Sequence, residues 1–191
     1  MKKRGITTLW LLMVALVMMA KSYTVTSPNG QLTAQVEVGT VIKYSLKDAS
    51  LQLVLPSAIA LKTDRGTWGE NSHLRRAVKT THRGQIAAFA YKRNEVSDCY
   101  NQLRLQFKEG FDLIFRLYDE GMAYRFASTL KSEVTINDEQ AQMRFARDWK
   151  AQIPYVRDSG DREDQLHNSF ENNYTHTAPV SYTHLRAHET D

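Results

Sequence analysis

Carboxylates are concentrated near the end of this chain, where four acidic side chains lie within seven positions: Asp158, Asp161, Glu163 and Asp164. A hard cation such as Ca²⁺ prefers oxygen ligands. Their order does not fit the known calcium-loop pattern, because Gly160 comes too early and no glutamate follows at the required distance. We interpret this cluster as a polar loop.

Other chemical signatures are missing from the sequence. It has no serine nucleophile elbow, no phosphate-binding glycine loop, no paired cysteines and no metalloprotease helix motif. The four histidines outside the chain terminus lack the spacing of metal ligands and are interpreted as surface or hydrogen-bonded groups: His73, His82, His167 and His176. Cys99 cannot form an internal disulfide, and we predict that it is a small buried hydrophobic residue.

Two tryptophans, Trp68 and Trp149, offer flat rings that could stack on the apolar face of a sugar. Packing in the core or at a sheet edge is the more common role of such rings. Both interpretations are open from the sequence, and we favour packing.

The elements that would position these groups are strands, because apolar residues alternate with polar ones in most of the chain. The alternation covers 32–38, 42–46, 51–55, 103–107, 113–117 and 122–126, then continues at 134–136 and 143–145. Pro56 should end the third strand, since proline cannot donate to a central ladder. Short strands with frequent turn signals predict an all-β antiparallel sandwich, incomplete at its C-terminal end.

Two turns define the middle of the predicted sandwich. Lys108-Glu109-Gly110 should join the strands on either side of it, and Asp119-Glu120-Gly121 should do the same one strand later, with a positive φ available at Gly121. The segment from Gly66 to Gly84 looks least like a strand. We predict a solvated connection or an exposed hairpin there.

Neither end of the chain is expected to belong to the fold. Lys2, Lys3 and Arg4 precede an apolar run that is too short to span a bilayer, so residues 1–20 are predicted to be a signal peptide. Residues 180–190 match a translated transposase sequencing adapter codon by codon, so we interpret 180–191 as an artefact. The predicted domain is 21–179, with a periplasmic or secreted location.

Charge changes when these ends are set aside. Residues 21–179 contain 21 basic and 19 acidic side chains, so the basic pI of about 9.1 comes largely from the leader. This near-neutral balance favours neither a nucleic-acid partner nor a membrane surface beyond the signal peptide.

Several phrases together resemble the N-terminal domain of glycoside hydrolase family 97. They are Ser27-Pro28-Asn29-Gly30, PSAIAL at 56–61, YNQLRLQF at 100–107, FRLYDEGMAYRF at 115–126 and SFENNY at 169–174. The resemblance implies a β-super-sandwich that packs against a (β/α)₈ barrel in a secreted α-glucosidase or α-galactosidase acting on oligosaccharides. It also implies that the catalytic carboxylates lie on a barrel beyond Pro179, so no catalytic residue is assigned in this chain.

The same resemblance implies one metal ligand. In the family, a glutamate of the N-terminal domain helps to hold calcium near the substrate, and Glu171 matches it by its E-x-x-Y setting with Tyr174. An ordinary exposed glutamate is the alternative. A secreted glycan-binding sandwich without catalysis, or a purely structural domain, are the alternatives for the whole chain.

Overall fold

The computed structural model describes residues 20–89, 92–154 and 173–177, and these residues form antiparallel β-strands. Within these ranges there is no helix of the length and apolarity that a membrane span requires. The strands are β1 (Lys21–Thr26), β2 (Leu32–Val38), β3 (Ile42–Asp48), β4 (Leu51–Thr63), β5 (Gly66–Trp68), β6 (Leu74–Ala87), β7 (Glu95–Phe107), β8 (Phe111–Leu117), β9 (Met122–Ser128), β10 (Ile136–Ala141), β11 (Arg144–Phe145), β12 (Ala151–Pro154) and β13 (Tyr174–Thr177).

The first sheet has the order β1-β2-β3-β4-β10, and β5 and β11 also pair with β4. Strand β2 shows how the alternation of apolar and polar residues relates to burial. Every second residue from Leu32 to Val38 is buried, and the intervening residues are half-buried. Successive side chains of a strand point to opposite faces, so this alternation supplies one apolar face to the core.

The second sheet has the order β6-β7-β8-β9. The predicted hairpins are confirmed here, since Leu105 pairs with Leu113 and Leu113 pairs in turn with Phe126. Gly110 has φ 85° in the first turn, as a tight connection requires. In the second turn Gly121 does not use the positive φ available to a glycine, and Tyr118 N donates to Gly121 O at 2.8 Å.

The core lies between the two sheets and is rich in aromatic rings. Trp68 stacks on Phe111, with ring centroids 5.1 Å apart, and Phe111 stacks on Phe107 at 4.5 Å. The Tyr44 and Tyr124 ring centroids are 5.8 Å apart, and the Tyr44 hydroxyl donates a hydrogen bond to Gln142 O. Full burial of a large apolar side chain stabilises a fold by roughly 1.5–3 kcal/mol. The prediction of an all-β antiparallel sandwich is therefore confirmed.

The predicted end of the strand at Pro56 is wrong, because β4 continues through it to Thr63. The pairing between β3 and β4 shifts register between Tyr44 and Leu46, opposite Pro56. A bulge is one of the places where a strand tolerates proline. The buried Ser57 hydroxyl stabilises this irregularity by accepting from Arg144 N at 2.9 Å and donating to Leu55 O.

The segment from Gly66 to Gly84 confirms one of the two predicted alternatives, the exposed hairpin. It contains β5 and most of β6, a strand that is exposed or half-exposed along its whole length and pairs with β7 from Leu74 to Ala87. It is therefore a hairpin strand and not a solvated connection. Its basic side chains obscured it, because an edge strand that faces solvent on both sides has no apolar alternation for the sequence to reveal.

Candidate functional site

Glu171, the one predicted site residue, lies outside the described residues. It is part of the segment that connects β12 to β13, and the described chain resumes just before Tyr174, which is 65% exposed. The two strands pair antiparallel, with Pro154 opposite Tyr174. The acidic cluster at 158–164 belongs to the same connection and also lies outside the described ranges.

Within the described ranges, no group of three or more histidine, cysteine, aspartate or glutamate residues could hold a metal ion. Of the four histidines predicted to be surface or hydrogen-bonded groups, His73 and His82 contact carboxylates, His176 is exposed, and His167 lies outside the described residues. The His73 ring lies 2.8 Å from a Glu109 carboxylate oxygen, and the His82 ring lies 3.3 Å from Asp98. Because Ca²⁺ takes about 6–8 oxygen ligands, these residues do not make a calcium site.

The His73–Glu109 contact fixes the entry to β6 against the β7–β8 turn. The His73 backbone N–H donates to both Glu109 carboxylate oxygens, at 3.0 and 3.1 Å. Burial of Glu109 opposes its ionisation, but the hydrogen bonds from the His73 ring and backbone outweigh burial and lower the pKa of the carboxyl below its ordinary value. The pair is a structural clamp.

The two tryptophans have different surroundings. Trp68 is 4% exposed and stacked on Phe111, so it packs in the core and is closed to a sugar. Its indole Nε1 is buried without a hydrogen-bond partner in the described part of the chain. Trp149 is 40% exposed, so its ring keeps a surface on which a ligand could stack.

Cys99 differs from its prediction as a buried hydrophobic residue. The thiol is half-buried on β7, opposite Arg83 of β6. The Ser97 hydroxyl donates to its Sγ at 3.3 Å and, with smaller contributions from Gly84 and Arg83, lowers the pKa of the thiol below its ordinary value. Exposure and a cationic neighbour favour the thiolate, but His82, next to Arg83 in β6, lies on the opposite face of the strand and does not accompany the thiol as a base.

An acidic cleft of about 510 Å³ lies over β4, β5 and β10. Three carboxylates line it, from Glu70, Asp138 and Glu139, together with the ammonium group of Lys62. Asp138 already accepts a hydrogen bond from Glu139 N at 2.9 Å. The cleft offers hydrogen-bond acceptors to a polar ligand, but no aromatic ring lines it to receive the apolar face of a sugar.

A smaller polar cleft of about 310 Å³ lies between edge strand β1 and the β6–β7 hairpin. Asn101 bridges its walls, since the Asn101 amide donates to Thr26 O and accepts from the Thr81 hydroxyl, each at 2.8 Å. Lys79 supplies a cation to the same space. These groups suit polar recognition, but no carboxylate lines this smaller cleft, so it lacks the paired carboxyl groups that glycoside hydrolysis needs.

The family model for "Glycosyl-hydrolase 97 N-terminal" matches residues 25–189, most of the chain. The chain belongs to glycoside hydrolase family 97. The family resemblance drawn from the sequence phrases is thereby confirmed. The matched range extends past Pro179, and the adapter origin of residues 180–191 stays a prediction.

A curated relative of this family 97 chain is the retaining alpha-galactosidase of Bacteroides thetaiotaomicron. The two are 34% identical over 178 residues, which cover 92% of this chain and 27% of the relative. The chain thus spans about a quarter of the length of that enzyme.

Solved structures of glycosidases share the fold. A family 97 enzyme from Pseudoalteromonas sp. strain K8, in complex with acarbose, matches 61% of this chain and 19% of its own with a TM-score of 0.55 and 17% identity. A beta-arabinopyranosidase matches 68% of this chain and 22% of its own with a TM-score of 0.60 and 22% identity. At these identities the likeness extends to the fold alone.

Proposed function

We propose that this chain is the N-terminal sandwich domain of a secreted, calcium-dependent α-glycosidase of the α-galactosidase or α-glucosidase type, which acts on oligosaccharides. The observation that carries the proposal is the 34% identity to a retaining alpha-galactosidase across 92% of the chain. A periplasmic or extracellular location is part of the proposal and is supported by the leader-like sequence of residues 1–20.

The division of labour within the enzyme follows from the chemistry. Glycosidic cleavage needs two carboxyl groups flanking the scissile bond, one donating a proton and the other acting as base or nucleophile. Of the two clefts described above, only the cleft over β4, β5 and β10 is lined by carboxylates, at Glu70, Asp138 and Glu139, and it is open to solvent. We therefore assign the catalytic carboxylates to a barrel that completes the enzyme, while the sandwich supports that barrel.

Calcium enters the proposal through Glu171. The described residues form no multidentate site of their own, so Glu171 would supply one oxygen donor to an ion completed by ligands from the rest of the enzyme. Bound there, calcium would supply positive charge beside the substrate. The role of this chain is to deliver the carboxylate, and Tyr174, which begins β13, marks the point where the delivering segment rejoins the sheet.

Substitution of Glu171 tests this role in the complete enzyme. Glu171→Gln keeps the shape and one oxygen but removes the charge, so calcium affinity and activity should fall together, each on the order of tenfold or more, because ligand charge tunes affinity over decades. Calcium titration after chelation is the measurement. Glu163→Gln is the matched control and should change neither. Wild-type affinity and rate in Glu171→Gln would remove the assignment.

The competing hypothesis is a secreted sandwich that binds glycans without cleaving them. A genomic reading frame that stops soon after Tyr174 would favour it, whereas a frame that continues into repeated βα units would favour the enzyme. Trp149 is the more exposed of the two described tryptophans and would offer its ring to such binding.

A further inference from the structure

The β6–β7 hairpin extends beyond the sheet that supports it. Strand β8 pairs with β7 only between Asn101 and Gln106, whereas β6 pairs with β7 as far as Ala87 and Glu95. From the pair His82–Tyr100 to the pair Ala87–Glu95, the two strands therefore have no third strand beside them. We call this part the distal ribbon. A two-stranded ribbon is marginally stable by itself in water.

The base of the distal ribbon is fixed by side chains. The His82 ring stacks on Tyr100 at 4.9 Å and places its Nε2 3.3 Å from Asp98, which also accepts from the Tyr118 hydroxyl at 3.2 Å. The ring lies over Gly84, where an added Cβ would come within 2.8 Å of His82 Nε2. The ribbon thus leaves the sheet in a defined direction.

The far end of the ribbon is apolar and exposed. Ile86 and Val96 are cross-strand partners on one face, and they are 55% and 40% exposed. Phe89, at the tip, is fully exposed. Three large apolar side chains at the end of an extended, anchored ribbon are typical of a surface that another surface covers.

The surroundings of this apolar end are mainly basic. Arg83, Lys92 and Arg93 are exposed, whereas Glu95 is the one exposed acidic side chain of the described ribbon and Asp98 is half-buried beside His82. An apolar centre with a charged rim is the usual anatomy of a protein interface. The charge favours a partner surface that has an apolar pocket and an acidic rim.

We propose that the distal ribbon is an arm that docks onto the catalytic portion of the complete enzyme. This proposal rests on the proposed function. The partner is chosen because relatives of the chain are much larger: it spans 27% of the alpha-galactosidase and 19–23% of the solved family 97 and arabinopyranosidase chains. Most of such an enzyme is therefore available to cover Ile86, Val96 and Phe89.

Hydrogen exchange in the complete gene product tests the docking. Amides of residues 84–89 and 92–98 should be protected in the wild type, and Ile86→Ser combined with Val96→Ser and Phe89→Ser should speed their exchange on the order of tenfold or more, because docking removes local opening. The control is Met143→Ser, at an apolar position between β10 and β11 that is as exposed as Ile86, and this variant should leave the ribbon protected. Slow exchange of β8 in every variant confirms that the fold is intact.

Two outcomes would overturn the proposal. One is ribbon exchange in the wild type as fast as that of the exposed turn at 119–121. The other is protection that rises with protein concentration, which would identify a second copy as the partner. The readout does not depend on catalysis: absence of α-glycoside hydrolysis with a protected ribbon would reject the proposed function alone, and hydrolysis with an unprotected ribbon would reject the docking alone.

Discussion

At the scale of single residues, Trp68 combines strong packing with an unsatisfied polar group. Its ring is 4% exposed and stacked on Phe111, yet its buried Nε1–H has no hydrogen-bond partner among the described residues. An unpaired buried donor costs about 1–3 kcal/mol of stability. Packing and hydrogen bonding therefore oppose each other at this one side chain.

Two substitutions at Trp68 separate these effects. Trp68→Ala should destabilise the fold by about 3–5 kcal/mol, as large aromatic truncations do. Trp68→Phe removes the unpaired donor and keeps a stacked ring, so it should cost much less. Chemical denaturation of both variants measures the difference. Equal losses would show that the indole N–H has a partner or that only ring volume matters.

Tyr124 predicts how stability depends on alkaline pH. Burial, followed by the charges of Glu139 and Tyr44, raises its pKa to about 12, above the ordinary value of about 10. A raised folded-state pKa gives stability that is complete below the unfolded value and declines as pH rises between these two values. The free energy of unfolding should therefore fall between about pH 10 and 12.

Tyr124→Phe provides the control for this pH dependence, because phenylalanine keeps the ring and has no ionisable hydroxyl. The free energy of unfolding, measured by denaturation at several alkaline pH values, should fall less with pH in Tyr124→Phe than in the wild type. An unchanged dependence of the free energy of unfolding on pH would assign the alkaline loss of stability to other groups. Tyr44 is the first to examine, because burial also raises its pKa.

Sequence patterns predicted residue environments only where the environment is local. The buried positions of β2 follow from alternation, because a strand sends alternate side chains to one face. The exposure of Cys99 does not follow from alternation, because Cys99 lies beyond Asn101, where the pairing of β8 with β7 ends. Trp68 and Trp149 are the same residue type in different surroundings, and the partner Phe111 that buries Trp68 is distant in the sequence.

At the scale of elements, Gly69 sets the close approach between the end of β5 and β4. It has φ 105°, and an added Cβ would lie 2.7 Å from the Ile59 carbonyl oxygen. Backbone atoms cannot move aside as a flexible side chain can. The glycine is therefore required both by conformation and by space.

Gly69→Ala should accordingly cost more than a conformational penalty alone, which is about 1–3 kcal/mol for an unfavourable backbone region. Gly30→Ala is the matched control, since Gly30 also has a positive φ, of 77°, but has nothing within 4 Å of an added Cβ. Thermal unfolding of both variants compares them. A Gly30 variant as damaged as the Gly69 variant would mean that the contact with Ile59 is relieved at little cost.

The element boundaries show why the prediction failed at Pro56 and why it left two alternatives open at β6. Proline is a sound signal for a strand end unless a bulge accommodates it, and the β3–β4 register shift near Pro56 arises from pairing that a single strand's sequence does not encode. Strand β6 has no buried face over its length, so its sequence lacks the apolar alternation from which a strand is predicted. Its strand conformation depends on pairing with β7, which the sequence of β6 alone does not reveal.

At the scale of the whole molecule, family membership says more about function than the sandwich fold does. An antiparallel sandwich is compatible with many functions, whereas the phrases along the chain indicated glycoside hydrolase family 97, and the family match confirms it. The candidate calcium ligand came from the family resemblance alone, since Glu171 lies outside the described residues and no spacing rule distinguishes it from other acidic residues.

The most direct measurement is a side-by-side assay of the complete gene product and of residues 21–179 against aryl α-galactosides and α-glucosides. Because the paired carboxylates are assigned to the barrel, the complete product should hydrolyse one of these substrates in a calcium-dependent manner, and residues 21–179 should show no turnover above a buffer blank. Reproducible hydrolysis by residues 21–179, or a complete product that cleaves neither substrate, would contradict the assignment.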